Sequence, residues 1–349
     1  MAQPVKLLSV ATAVPPCAIE QRDAAAASHG CFADRIQDFD RLAKVFENSG
    51  IRRRYAVRPL EWYLQPLGWP ERNRAYLDGA TQLFTEVATR VLERAGVRAV
   101  QVDTIVTISS TGISTPSLEA RVADRIGFRV DVERVPVFGL GCAGGVSGLS
   151  IAARLAQSRP GIVLLVAVEL CTLAFRLDKL SKENIVATAL FGDGAAGCLL
   201  QAGEAGVADV EMSGQHTWPD TLDIMGWDVD PQGLGVIFDR AIPPFAEANI
   251  APALSGILGR AGLQLGEVDR FACHPGGAKV IDALERALSL EQGSLDHERV
   301  VLADYGNMSA PTALFVLERL VEAGLPSRTL LTAMGPGFTA SCLSLRKAA

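Results

Sequence analysis

With 349 residues, 49% hydrophobic and 21% charged, the chain can bury a large core as one large domain or two fused halves. A net charge of −6 and a pI near 5.4 exclude the basic face of a nucleic-acid binder. No apolar run approaches the roughly 20 residues of a membrane helix.

The opening residues show no signal-peptide pattern. Seven cysteines without a CxxC pair point to reduced thiols, so a cytoplasmic setting is expected. Four scattered histidines give no metal-ligand spacing, and no metal is expected.

Leu7–Ala13 is the first strand expected, closed by Pro15-Pro16. Residues 21–50 read as helical and carry Arg41 and Lys44. They lead into Ile51-Arg52-Arg53-Arg54-Tyr55, a basic cluster expected to form a solvated face. Residues 56–74, with Trp62, Trp69 and three prolines, read as an ordered loop. From Tyr76 to Ala95 apolar residues recur at helical spacing, and Gly96 is the expected stop.

The chain then repeats itself. Arg94-Ala95-Gly96, Val102-Asp103 and the strand Thr104–Ser109 return as Arg260-Ala261-Gly262, Val268-Asp269 and Arg270–Cys273, with an offset of 262 − 96 = 166. The same offset carries the strand Val135–Gly139 onto the apolar Val301–Tyr305, and Ile162–Val168 onto Arg328–Met334. A self-match across four successive elements marks a duplicated α/β unit, each copy a mostly parallel sheet covered by helices. The halves are expected to divide at Ala202-Gly203-Glu204-Ala205-Gly206, giving units 1–205 and 206–349.

In the first half Val135–Gly139 runs through Gly141-Cys142-Ala143-Gly144-Gly145 into a helix. A thiol at a helix start meets unpaired N–H groups and the positive dipole end, both of which favour the nucleophilic thiolate. An arbitrary cysteine is more often buried and inert, so a partner base is needed. His274, at a strand end before Pro275-Gly276-Gly277, supplies one. Cys142 maps by the repeat onto residue 308, one place from Asn307, and both are expected in a strand–turn–helix at the junction of the halves. Asn307 has a second reading as the cap of a helix starting at Ser309. Cysteine proteases also combine Cys, His and Asn, but the duplication weighs against that class.

Five stretches carry a family resemblance: Gly139-Leu140-Gly141-Cys142-Ala143-Gly144-Gly145, Ala189-Leu190-Phe191-Gly192-Asp193-Gly194-Ala195-Ala196, His274-Pro275-Gly276-Gly277, Tyr305-Gly306-Asn307-Met308-Ser309 and Gly335-Pro336-Gly337-Phe338. In this order and spacing the chain resembles the type III polyketide synthases, the chalcone synthase-like enzymes. It looks most like bacterial members that make alkylpyrones or alkylresorcinols from long fatty acyl starters, through Ser109–Ser117 and Glu169-Leu170-Cys171.

The resemblance implies a thiolase-like fold, a duplicated αβαβα arrangement of five layers, and a homodimer that uses acyl-CoA and malonyl-CoA without a cofactor. Cys142 would carry the acyl chain as a thioester, with His274 keeping it ionised. His274 and Asn307 would hold the malonyl thioester oxygen as an oxyanion hole does. Phe191 would press an apolar ring near the malonyl carboxylate. Arg41 and Lys44 match two of three basic positions that bind CoA phosphates in plant members, while the third falls on Asn48. Gly276 would let the pantetheine arm pass, and Gly335, Pro336 and Gly337 resemble the cyclisation-pocket loop.

Other lining positions carry small side chains where plant enzymes have larger ones. Val236 replaces a phenylalanine, Ala174, beside Cys171, replaces a threonine, and Thr115 replaces a methionine that reaches into the partner subunit. The extra room suits an aliphatic tail, although Trp227 falls near a glycine position of the plant enzymes. Two rivals follow: a ketoacyl-carrier-protein synthase that condenses once, and a non-catalytic dimer that binds acyl-CoA as a scaffold.

Overall fold

The computed structural model describes residues 3–158 and 161–348. The first half contains β1 (Val5–Ala13), then a small antiparallel pair, β2 (Cys17–Glu20) and β3 (Arg53–Ala56), enclosing α1 (Gln21–Phe32) and α2 (Phe39–Asn48). There follow α3 (Leu60–Tyr63), α4 (Trp69–Ala95), β4 (Val102–Ile108), α5 (Leu118–Ile126), β5 (Glu133–Val137), α6 (Gly144–Ser158), β6 (Ile162–Leu170), α7 (Lys182–Leu190) and β7 (Asp193–Ala202). The second half contains β8 (Ala208–Thr217), the hairpin β9 (Met225–Asp230) and β10 (Gly233–Phe238), α8 (Ile242–Gly259) and β11 (Arg270–Cys273). It ends with α9 (Ala278–Ala287), α10 (Asp296–Tyr305), α11 (Pro311–Glu322), β12 (Arg328–Gly335) and β13 (Thr339–Lys347).

The two halves repeat one strand order. The first runs β5-β4-β6-β7-β1 and the second β11-β12-β13-β8, joined edge to edge where β1 meets β8 over three residue pairs. β4 lies parallel to β6 as β11 lies parallel to β12, and β7 and β13 both run antiparallel to their neighbours. β6 is buried along its whole length, as its unbroken Ile-Val-Leu-Leu-Val-Ala-Val sequence requires of a strand covered on both faces.

Helices α6 and α11 each touch strands of both halves and form the middle layer. They share one apolar core with β1, β4, β6, β7, β12 and β13. Separate cores sit beneath α1, α4 and α5 on one outer side and beneath α8 and α9 on the other. The result is the five-layer thiolase-like α/β arrangement. α6 reaches α11 closely because Gly145 has no side chain: a Cβ there would stand 2.2 Å from the Ala310 carbonyl oxygen.

Five expectations need correction. Neither half is mostly parallel, because β7 in the first and β13 in the second run antiparallel to both of their neighbours. Val301–Tyr305 is the end of helix α10, so the second half has no counterpart of β5, and Asn307 follows a helix rather than a strand. A short, largely apolar run fits a buried helix turn as well as a strand, and length alone does not separate them. Residues 56–74 hold α3 and the first turn of α4 rather than a loop, with Pro70 at a position where proline is tolerated. The helical stretch 21–50 is two helices, broken at 33–38. Within the basic cluster Arg52 and Arg53 are exposed, but strand alternation turns Arg54 inward, where it is only 3% exposed.

Candidate active site

Cys142 sits where β5 has ended and a 3-10 turn, Gly141–Ala143, feeds into α6. Gly141 adopts a positive φ of 47°, and a Cβ there would collide with Pro336 at 2.7 Å. From the other side, a Cβ on Gly335 would stand 2.6 Å from the Leu140 carbonyl oxygen. The cysteine turn and the Gly335-Pro336 loop therefore close on each other only because both carry glycine.

His274 ends β11, its amide donating to the Thr332 carbonyl at 2.8 Å. Its imidazole is buried, and neither ring nitrogen has a hydrogen-bond partner among the described residues. Asn307 forms an isolated parallel bridge with Phe191. Its Nδ2 donates to the Gly276 carbonyl at 3.2 Å and its Oδ1 accepts from the Ser309 amide at 2.8 Å. It does not cap α11, whose N-cap residue is Ala310.

Cys142, His274 and Asn307 line one small chamber with Gly276, Met225 and Phe238. Cys142 thus meets two residues that lie more than a hundred positions further along the sequence. Burial pushes the Cys142 thiol up to about 11, opposed by hydrogen bonds from Ser309 and Asn307. Burial also pushes His274 down to about 4. The helix-start position favours a thiolate, but enclosure outweighs it, and the closed chamber holds thiol and imidazole uncharged. The thiolate–imidazolium pair has the same net charge and differs only in where one proton sits.

A second chamber opens beside Cys142, lined by Cys171, Phe191, Trp227, Val236, Ser309 and Pro336 among others. Phe191 meets Trp227 edge to face at 6.4 Å. Trp227 and Val236 are cross-strand partners in the β9–β10 hairpin, which roofs the site. Glu169 is wholly buried nearby, accepting from the Ser110 amide at 2.9 Å and the Thr111 hydroxyl at 2.8 Å. Burial pushes its carboxyl up to about 7. Glu169 and Ser309 entered the sequence reading only as pieces of motifs.

Outside the catalytic chamber, and sharing Gly276, Phe238 and Val280 with it, lies a cleft of about 770 Å3. Arg41, Lys44 and Asn48 line one wall. Lys182, Arg240 and Lys279 also line it, and nothing local in the sequence flags them as one group. Among the described residues none of these five cations is in an ion pair, and only Glu183 and Asp239 bring negative charge to the cleft. Such a wall suits an anionic ligand whose reactive end passes Gly276 toward Cys142.

One expected lining residue lies elsewhere: Ala174 is buried in the turn after β6 and lines neither chamber. Thr115, expected to reach into a partner subunit, stands exposed on a loop.

The models of the chalcone and stilbene synthases match the chain in two parts, the N-terminal domain over residues 2–204 and the C-terminal domain over 209–348. The 1,3,6,8-tetrahydroxynaphthalene synthase of Streptomyces peucetius is 36% identical, covering 97% of this chain and 92% of that protein. The alpha-pyrone synthesis polyketide synthase-like Pks18 of Mycobacterium tuberculosis is 29% identical, covering 95% and 88%. The crystal structure of the Streptomyces coelicolor tetrahydroxynaphthalene synthase superimposes with a TM-score of 0.93 at 29% identity, over 99% of both chains.

Proposed function

This chain belongs to the chalcone and stilbene synthase family, the type III polyketide synthases, and from that premise we propose how its own residues divide the work. It is an acyltransferase that performs decarboxylative Claisen condensations with malonyl-CoA.

In the proposed reaction an aliphatic acyl-CoA enters by the outer cleft, its phosphates held by Arg41 and Lys44 and its pantetheine arm passing Gly276. The Cys142 sulfur attacks the thioester carbonyl as its proton passes to His274. The carbon–sulfur bond to CoA breaks, and CoA leaves as the thiol after taking up a proton. Malonyl-CoA then loses CO2 beside Phe191, and the enolate left behind is held by hydrogen bonds from His274 and Asn307. Its carbon attacks the Cys142 thioester, a carbon–carbon bond forms, and the cysteine sulfur departs. The lengthened chain, now on CoA, returns to Cys142 for the next round, and cyclisation gives an alkylpyrone or alkylresorcinol.

The observation that carries this reading is the convergence of Cys142, His274 and Asn307 on one chamber, with both imidazole nitrogens free to bond a substrate. Product analysis by mass spectrometry with malonyl-CoA and a panel of acyl-CoA starters tests it. Each buried CH2 is worth about 0.8 kcal/mol, so kcat/KM should rise with acyl length. A flat or falling trend from hexanoyl to lauroyl-CoA rejects the aliphatic starter. Cys142→Ala should lose all product while staying folded.

The homodimer belongs to the same proposal. β5 is the last strand of its sheet, with most of its side chains turned to solvent, and Phe138 just beyond it is 58% exposed. A second copy is expected to cover this edge. Sedimentation of a Phe138→Glu variant should show monomer.

A further inference from the structure

Beyond the chamber beside Cys142 lies a third one, and Cys171 and Phe191 line both. Its walls are mostly apolar, formed by Ile19, Leu60, Leu64, Phe175 and Ala187. Its polar groups fall into two sets. Tyr63 bonds Thr172 at 2.7 Å, Thr172 donates to Asp193 at 2.7 Å, and Thr188 donates to the Asn184 carbonyl at 2.6 Å, so these hydroxyls are engaged. Arg54 Nη1 and Ser28 Oγ are buried without any hydrogen-bond partner among the described residues. Both residues line this chamber, at 3% and 2% exposure.

A guanidinium donor left unbonded in an apolar wall is costly unless something in the cavity accepts from it. Asp193 lies close enough to balance the charge of Arg54, yet its oxygens are already taken by the Val57 amide, the Thr172 amide and the Thr172 hydroxyl, each at 2.7–2.8 Å. The chamber therefore offers a hydrogen bond without offering net charge. An uncharged oxygen fits that description, and a second carboxylate beside Asp193 does not.

We propose that this third chamber receives the far end of the starter acyl chain, and that the chain it is built for has an apolar body and an uncharged oxygen, such as a hydroxyl, at that end. The inference rests on Cys142 as the acyl carrier and adds the identity of the starter's remote end. Leu64, partly exposed, borders the chamber and sets where a longer chain would meet solvent.

The test measures acylation of Cys142 by intact mass, without malonyl-CoA, for three matched series from hexanoyl to dodecanoyl: plain, ω-hydroxy and ω-carboxy acyl-CoA. At the lengths that reach the chamber, the ω-hydroxy thioester should load about fivefold faster than the plain one, the value of one hydrogen bond, and the ω-carboxy thioester slowest. Arg54 lies against Gly192 and Gly306 in the catalytic loops, so the discriminating variant is Ser28→Ala. It should cut the ratio of ω-hydroxy to plain loading to about twofold or less. Plain chains loading as fast as ω-hydroxy chains at every length, or Ser28→Ala slowing both series alike, would overturn the proposal with the catalytic reading intact. Failure of Cys142 to take up any acyl group would overturn both.

Discussion

The outer cleft and the chambers behind it are built from opposite materials. The cleft is wide, open to water and walled by five cations without ion pairs among the described residues. The chambers are small and mostly apolar, and burial drives ionisable groups in and beside them toward the uncharged form: Cys142 up to about 11, His274 down to about 4, Glu169 up to about 7. Charge at the mouth is screened by salt, whereas hydrogen bonds in the buried interior act at nearly full strength on charge that forms there. Phe238 and Gly276 line both sides of the step between the two regimes.

The sharpest way to break this contrast is to remove an interior donor. His274→Ala or Asn307→Ala should lower malonyl-CoA decarboxylation by about 10²–10³-fold, the cost of losing a donor aimed at developing charge. A loss of only a few-fold in both would show that the chamber does not stabilise the enolate.

The next effect is read in stability rather than rate. Glu169, with a folded value of about 7 against the usual 4.5, binds its proton more tightly in the folded chain than in the unfolded one. Stability from this group is fullest below the unfolded value and is lost as pH rises through 4.5 toward 7. Glu169→Gln should therefore gain on the wild type between pH 5 and pH 8, by the order of 2 kcal/mol. Parallel melting curves across that range would contradict the buried carboxyl.

Filling the second chamber gives a smaller effect. Val236→Phe should erase about tenfold of any preference for lauroyl over hexanoyl-CoA, as added bulk displaces tail methylenes. Equal chain-length profiles for variant and wild type would move the tail elsewhere.

The mildest change belongs at the mouth. Lys279→Ala or Arg240→Ala should raise the KM for malonyl-CoA about threefold at low salt, leave kcat unchanged, and lose most of that effect at high salt. A kcat defect instead would place these cations in the chemistry.

Much of the fold could be read before any coordinates. The 166-residue offset located β11 and β12, and Gly96 ends α4 in the left-handed conformation its position demanded. The offset failed at Val301–Tyr305, where a short apolar run says nothing about which surface covers it. The three converging side chains were legible because each sits beside glycines at an element end. Lys182, Arg240 and Lys279 were not, because they come from three distant elements and share no local pattern. Arg54 misled for a related reason: three consecutive arginines look alike on paper, and only the strand's two-residue alternation separates the inward one.

The closure of the Cys142 turn by Gly335 and Pro336 has a consequence for biosynthesis. The socket of the reactive thiol is completed by Gly335 and Pro336, far downstream of Cys142, so no fragment that stops short of them can own it. Until that loop docks, the enzyme has a sulfur but no workshop.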